Sequence, residues 1–380
     1  MFRRREQTGN VRISGIESAF LEMKLLITGI HGFVGSNLVK ALAKDHEIYG
    51  LDIIAPEKEG VVKTYSWDDL ENPSTGSETA GLPEVDAIIH LAGKAHDTKS
   101  FGTLRNQKAE VYFQVNTELT KKIYDYFLAS SAKRFVFFSS VKAAADRVEG
   151  AYVDEDVEPK PVGPYGESKI EAERYIMRSL HVGRDDKGEG VRREGGKREG
   201  GKRTYILRPC MIHGPGNKGN LNLLYGVVKK GIPWPLGAFE NKRTFTSIDN
   251  LCFIINGLLT KDVESGIYHI NDDEAVSTNE LIEIICSALG KKAHIWRIPR
   301  GLMEGVAKIG GMLHLPLNPE RLQKLTENYV SSNAKIKKAL GIEQLPVRAK
   351  DGLYKTIKAF ESGSVILECK DGKYQPLGEM

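Results

Sequence analysis

The sequence is poor in cysteine, nearly balanced in charge and without long apolar runs. Its four cysteines, Cys210, Cys252, Cys286 and Cys369, are scattered without pair spacing. They outline neither a disulfide framework nor a zinc pattern, so no metal site is expected. Reduced thiols in a cytoplasmic protein are the expectation. The net charge is only +4, which gives no reason to look to nucleic acid as a partner. A mildly basic balance is compatible with an anionic substrate. No apolar run approaches the roughly 20 residues that span a bilayer, so no membrane span is expected. The chain opens Met1-Phe2-Arg3-Arg4-Arg5, but no long apolar stretch follows before Met23. A signal peptide needs one. Residues 1–22 therefore read as an extension, and Met23 as the start of the folded unit.

What remains is ordinary globular material. At 380 residues the chain is long enough for one large domain and a smaller one. Apolar strands are predicted at Lys24–Thr28, Glu47–Asp52, Val85–Ala92, Arg134–Ser140 and Thr204–Arg208. Amphipathic helices are predicted at Phe33–Lys44, Val111–Leu128 and Tyr165–Leu180. Strands of continuous apolar character that alternate with helices indicate a parallel sheet covered on both faces. The fold class is α/β, a doubly wound parallel sheet, with ligands beyond the carboxyl ends of the strands.

The large domain is expected over residues 23–208. After Pro209 come Gly214-Pro215-Gly216-Asn217 and shorter elements. A smaller C-terminal α/β substrate-binding domain is expected over 209–243 and 271–360, with 244–270 returning to the sheet and 361–380 a tail. Residues 183–203 are almost wholly Gly, Lys, Arg, Glu and Asp. Such composition cannot bury enough apolar surface to order itself, so a mobile surface insertion is expected.

Two motifs carry chemistry. Gly29-Ile30-His31-Gly32-Phe33-Val34-Gly35 joins the first strand to its helix. Glycines at i, i+3 and i+6 let the backbone approach a pyrophosphate, and the helix amino terminus offers N–H groups to it. Asp52 ends the second strand, where a carboxylate binds ribose hydroxyls and repels a 2′-phosphate, which favours NAD. A loop cap is the alternative role for Asp52. Tyr165 and Lys169, at i and i+4, share one helix face. A phenol near pKa 10 is a poor base at neutral pH, and a neighbouring ammonium lowers that value. Ser140, at the end of the preceding strand, is expected to point into the same crevice.

Gly29-x-x-Gly32-x-x-Gly35, Asp52, His90-Leu91-Ala92-Gly93, Ser139-Ser140, Tyr165-x-x-x-Lys169 and Leu207-Arg208-Pro209 stand in the order found in extended short-chain dehydrogenase/reductases. The chain most resembles the NAD-dependent epimerase/dehydratase branch, nucleotide-sugar enzymes similar to UDP-glucose 4-epimerase. The resemblance implies a Rossmann-type sheet and NAD as cofactor. It implies Tyr165 as base, Lys169 as holder of the nicotinamide ribose, and Ser140 as the group that orients the reacting oxygen. It implies cofactor contacts from Gly29, Gly32, Phe33, Val34, Gly35, Leu91, Ala92, Gly93, Asn116 and Pro209. Lys94, Asn220, Trp234, Leu236 and Arg243 are the implied substrate contacts, Arg243 as a clamp on a diphosphate. Helix packing for Asn116 and a surface ion pair for Arg243 remain open as alternatives. A homodimer is also implied.

The departures bear on the substrate. Dehydratases of this kind carry an Asp-Glu pair after the hydroxyl residue, where this chain has Val141 and Lys142. Dehydration is therefore disfavoured. Met211 replaces an asparagine frequent in UDP-galactose epimerases. The reading is C4 epimerisation of a UDP-hexose or UDP-N-acetylhexosamine through a 4-keto intermediate. An NAD(P)H-dependent reductase of a 4-keto-6-deoxy nucleotide sugar, a substrate on a lipid diphosphate, and a non-catalytic dinucleotide-binding regulator are the alternatives.

Overall fold

The computed structural model describes residues 22–71, 81–95, 105–181, 201–217, 219–312, 317–362, 367–370 and 373–376. Seven parallel strands make the main sheet. In chain order they begin with β1 (Lys24–Thr28), β2 (Glu47–Asp52), β3 (Lys63–Ser66), β4 (Ala87–His90), β5 (Arg134–Phe138) and β6 (Arg203–Pro209). Two short strands, β7 (Met211–His213) and β8 (Phe245–Ser247), pair with each other, and β9 (Gly266–Ile270) completes the main sheet. The spatial order is β3-β2-β1-β4-β5-β6-β9. The order reverses direction between β1 and β4, and the crevice above their carboxyl ends is where such sheets bind ligands.

Alternation along each strand divides the core between two faces. Leu25 and Ile27 of β1, Val136 and Phe138 of β5, and Tyr205 and Leu207 of β6 pack on one side. Leu26, Phe135, Phe137 and Ile206 pack on the other. The first face is covered by α1 (Phe33–Leu42) and, later in the chain, by α8 (Ile248–Thr260) and α12 (Ala334–Leu340). After the short α2 (Trp67–Glu71), a long helical stretch and α6 (Gly163–His181) cover the second. That stretch is α3 (Arg105–Phe113) and α4 (Leu119–Ala129), joined by a π-helical turn at Gln114–Glu118. The short α5 (Val141–Ala144) follows β5.

A second cluster forms around α7 (Asn220–Lys229), α9 (Thr278–Ala288), α10 (Arg300–Met312), α11 (Pro319–Thr326) and α13 (Ala349–Glu361). Within 244–270, the segment expected to return to the sheet, Gly266–Ile270 is β9 beside β6 and α8 packs on the first face of the sheet. Phe245–Ser247 pairs with β7, and Ile248–Thr260 is a helix capped by Ser247. Ser247 accepts from the Asn250 N–H, and this local bond favours a helix start over further extension. Beyond residue 361, the strands β10 (Leu367–Lys370) and β11 (Lys373–Pro376) form an antiparallel pair. The expected insertion at 183–203 falls largely outside the described residues. Its last members are ordered: Lys202 donates to the carbonyls of Phe127, Ser130 and Ala132, and Arg203 opens β6.

Candidate active site

The glycine motif lies at the β1–α1 turn, at the reversal of strand order. Gly29 has φ of +68°, and a Cβ there would come within 2.9 Å of the Ala92 nitrogen. A Cβ on Gly35 would lie 2.5 Å from the Gly29 oxygen, and one on Gly32 would lie 3.1 Å from it. The turn is thus as tight as backbone permits. Gly32 caps α1 without a side-chain bond, and the first turn has no acidic residue. The N–H groups at this end are left to an anion. Phe33 and Val34, in that turn, are partly buried. Asp52 ends β2, and its carboxylate accepts from the His31 N–H at 3.0 Å and the Ile53 N–H at 2.8 Å. It therefore braces the glycine turn while remaining partly exposed.

Leu91, Ala92 and Gly93 leave β4 beside this turn. Gly93 is exposed, and a Cβ on it would stand 3.0 Å from both Asn116 Oδ1 and Lys169 Nζ. Asn116 sits on the π-helical turn, a distortion frequent at functional sites. Its amide grips the backbone of Lys94, accepting from its N–H at 2.7 Å and donating to its carbonyl at 3.0 Å. It also donates to Ser168 Oγ at 3.0 Å. The Lys94 ammonium lies 5.3 Å over the Tyr112 ring, and Tyr112 meets the Tyr165 ring edge-on with centroids 6.3 Å apart.

Ser140, Tyr165 and Lys169 converge. Ser140 caps α5, accepting from the Lys142 N–H at 3.2 Å, and its hydroxyl lies beside the Tyr165 phenol. Burial raises the phenol pKa above its ordinary value, and the neighbouring Ser140 hydroxyl opposes that. Lys169 is buried one turn further along α6 and donates to the Phe138 carbonyl at 2.8 Å. Burial pulls its pKa down to about 8, with the Glu173 carboxylate acting the other way. Gly166 lets the two helices close: a Cβ there would meet the Lys142 carbonyl oxygen at 2.6 Å.

Several supporting groups were not singled out by sequence. Glu173, a further turn along α6, forms a buried ion pair with Arg208 at 2.6 Å and accepts from Ser139. Its signal was the Tyr165, Lys169, Glu173 spacing on one helix face. A second set runs behind the glycine turn. Ala92 N–H donates to Thr28 Oγ1, which bonds His90 Nδ1 at 2.7 Å; His90 Nε2 bonds Thr120 Oγ1 at 3.0 Å. Thr120 donates its one hydroxyl proton to the Asn116 carbonyl. It must then accept from Nε2–H, which makes Nδ1 the acceptor from Thr28. Burial pushes His90 down to about 3, so the ring stays neutral and this tautomer holds. Turn and π-helix are thereby linked.

The substrate residues expected from the second lobe are less convergent. Trp234 and Leu236 are buried in its core, and their segment pairs with residues 294–297. Arg243 is partly buried and 3.5 Å from Glu327, an ion pair of the kind left open. Asn220 opens α7, but its side chain lies outside the described residues. Pro209 ends β6, buried. Lys142 is held by Asp146 at 3.1 Å and lies over the Tyr329 ring. Tyr329 in turn donates to the Ala145 carbonyl at 2.8 Å, tying the second lobe to the loop after Ser140. Among the described residues no cluster of His, Cys, Asp and Glu could hold a metal ion.

The model of the NAD dependent epimerase/dehydratase family matches residues 25–270. The chain belongs to this family. A UDP-glucose 4-epimerase of Vibrio cholerae is 30% identical over 283 residues, 72% of this chain and 78% of that protein. An N-acetyl-alpha-D-glucosaminyl-diphospho-ditrans,octacis-undecaprenol 4-epimerase of Escherichia coli O157:H7 is 25% identical over 83% of this chain and 84% of its own. The crystal structure of a UDP-glucuronic acid 4-epimerase from Bacillus cereus in complex with NAD aligns with a TM-score of 0.62 at 18% identity. It covers 90% of this chain and 99% of that one, a likeness of fold. The family is one of epimerase-type enzymes and is NAD-dependent. The glycine turn fits such a group: a Cβ at Gly29 or Gly35 would strike the turn's own backbone, and the amino terminus of α1 that the turn presents has neither a side-chain cap nor an acid in its first turn.

Proposed function

We propose that this enzyme inverts C4 of a UDP-linked hexose or N-acetylhexosamine. The observation that carries the reading is the Ser140–Tyr165–Lys169 convergence beside the glycine turn, with Val141 and Lys142 where a dehydratase needs its acid pair. The 4-epimerase named among the relatives supports it.

In this reading the N–H groups at the start of α1 hold the cofactor pyrophosphate, with Phe33 and Val34 beside them. Asp52 takes the adenosine ribose, and Leu91–Gly93 with Pro209 flank the cofactor. When bound, NAD supplies the hydride acceptor and donor, and a positive charge that favours the phenolate. Tyr165 takes the proton from the C4 hydroxyl and later returns it. Ser140 turns its one hydroxyl proton to the reacting oxygen and, lying beside the phenol, keeps that oxygen and the base together. Lys169, anchored on the Phe138 carbonyl, orients the ribose and stabilises the phenolate. Asn116 sets the Gly93–Lys94 backbone, and Lys94 and Arg243 meet the diphosphate. The protein contributes positioning and a tuned base; the cofactor carries the hydride.

The test is to incubate the purified protein with UDP- and dTDP-hexoses and follow product stereochemistry and absorbance at the NADH band. Inversion at C4 with protein-held NAD and no net NADH change is the expected result. Oxidation of added NAD(P)H only when a 4-keto sugar is supplied would replace this reading with a reductase.

A further inference from the structure

We propose that the outer face of α10, together with Trp296, docks this enzyme on an anionic membrane surface. The helix is apolar on two sides. Met303, Ala307 and Gly310 point inward, and the first two belong to the second-lobe core with Trp234 and Leu236. On the other side Leu302, Val306, Ile309 and Met312 are 61%, 46%, 53% and 72% exposed. At 100° per residue these four span a stripe about 120° wide, as broad as the core-facing stripe of an ordinary surface helix. Fourteen large apolar side chains are exposed among the described residues, and four of them fall on this one helix face. Trp296, four residues before the helix, is a fifth at 56%. Single exposed apolar residues need no explanation, but a contiguous patch marks an interaction surface.

Charge identifies the partner. From Lys291 to Met312 the chain has five cations (Lys291, Lys292, Arg297, Arg300 and Lys308) against one acid, Glu304. That is 5 − 1 = +4, the formal net charge of the whole chain, so the remaining residues balance. Lys308 is exposed on the helix next to the stripe and Arg297 is exposed ahead of the helix, while Arg300 donates to the Ala238 carbonyl and Lys291 to that of Lys229. An apolar stripe bordered by Lys and Arg with a nearby Trp is the composition of a helix lying in the headgroup region of an anionic bilayer. Thirteen residues reach about 20 Å, too short to cross. No helix among the described residues is long and apolar enough to do so. The geometry therefore gives attachment along the surface, with the second lobe facing the lipid. The inference stands apart from the choice of sugar.

The experiment is co-sedimentation of the full chain with vesicles of phosphatidylcholine alone or with one-third phosphatidylglycerol. The variants are Leu302→Gln/Val306→Gln/Ile309→Gln and Arg297→Gln/Lys308→Gln, each checked for an unchanged melting profile and unchanged soluble activity. The wild-type chain should pellet with anionic vesicles only. The apolar variant should lose binding at least tenfold, and the charge variant about fivefold per cation removed, with high salt acting the same way. Equal binding to both vesicle types overturns the anionic assignment. Wild-type protein left in the supernatant overturns the proposal. In that case, a shift from dimer to monomer in the apolar variant, read by sedimentation velocity, would assign the face to a second copy.

Discussion

Lys169 should cost the fold stability at neutral pH, and replacing it by methionine measures that cost. Burial lowers its pKa from 10.5 to about 8, a native-state penalty on the ammonium of about 3 kcal/mol. Methionine removes the charge but also the bond to the Phe138 carbonyl, made at 2.8 Å. Losing that bond, made by a charged donor at pH 7, returns about 1.5 kcal/mol. Lys169→Met should therefore be about 1.5 kcal/mol more stable than the wild type at pH 7 while losing activity. The sign with pH follows from proton counting. Below about 8 both states hold the proton, and the penalty is complete. Between about 8 and 10.5 the unfolded chain binds more protons than the native one, so the wild type gains stability as pH rises. The variant lacks this gain, and its advantage should shrink to a few tenths of a kcal/mol by about pH 9.5. Urea unfolding of both proteins at the two pH values reads the difference directly. A variant less stable than the wild type at pH 7, or an offset that does not change with pH, would refute the reasoning.

Other expectations follow from the same geometry. Tyr165→Phe should lower kcat by about 100- to 10,000-fold while NAD content and melting temperature stay unchanged, as read by turnover and by absorbance of the released cofactor. Glu173→Gln leaves the Arg208 guanidinium buried without its counter-charge and should destabilise the protein by about 3–5 kcal/mol in denaturant unfolding. Gly93→Ala puts a Cβ 3.0 Å from Asn116 Oδ1 and Lys169 Nζ. It should weaken NAD binding, seen in a titration of cofactor-stripped protein, and cost about 1–3 kcal/mol of stability.

Much of the sheet was legible because its strands are short apolar runs ended by marked residues. Thr28-Gly29, Asp52 and His90 each stand where a strand gives way to the crevice. The grouping of Ser140, Tyr165 and Lys169, to which we assign the chemistry, was legible for the same reason: Ser140 follows a strand, and Tyr165 and Lys169 share a helix face. What periodicity does not carry is a five-residue change of helical pitch. The stretch read as an ordinary helix over Val111–Leu128 contains the π turn that presents Asn116. Long-range pairing was equally hidden. Arg208 could be read as a motif residue, but its partner Glu173 lies 35 residues away across an insertion. β7 and β8 have three residues each, too few for alternation to show, so their separate pairing escaped notice. In the second lobe, aromatic and aliphatic residues at Trp234 and Leu236 serve a core as well as they would line a pocket. Composition does not distinguish the two.

The most direct measurement is the fate of deuterium placed at C4 of a UDP-hexose. Epimerisation by transient oxidation returns the same hydride to the opposite face. The C4-inverted product should therefore keep the deuterium at C4, with no reduced cofactor added. A C4-inverted product carrying protium at C4, from solvent or from added NAD(P)H, would contradict the account.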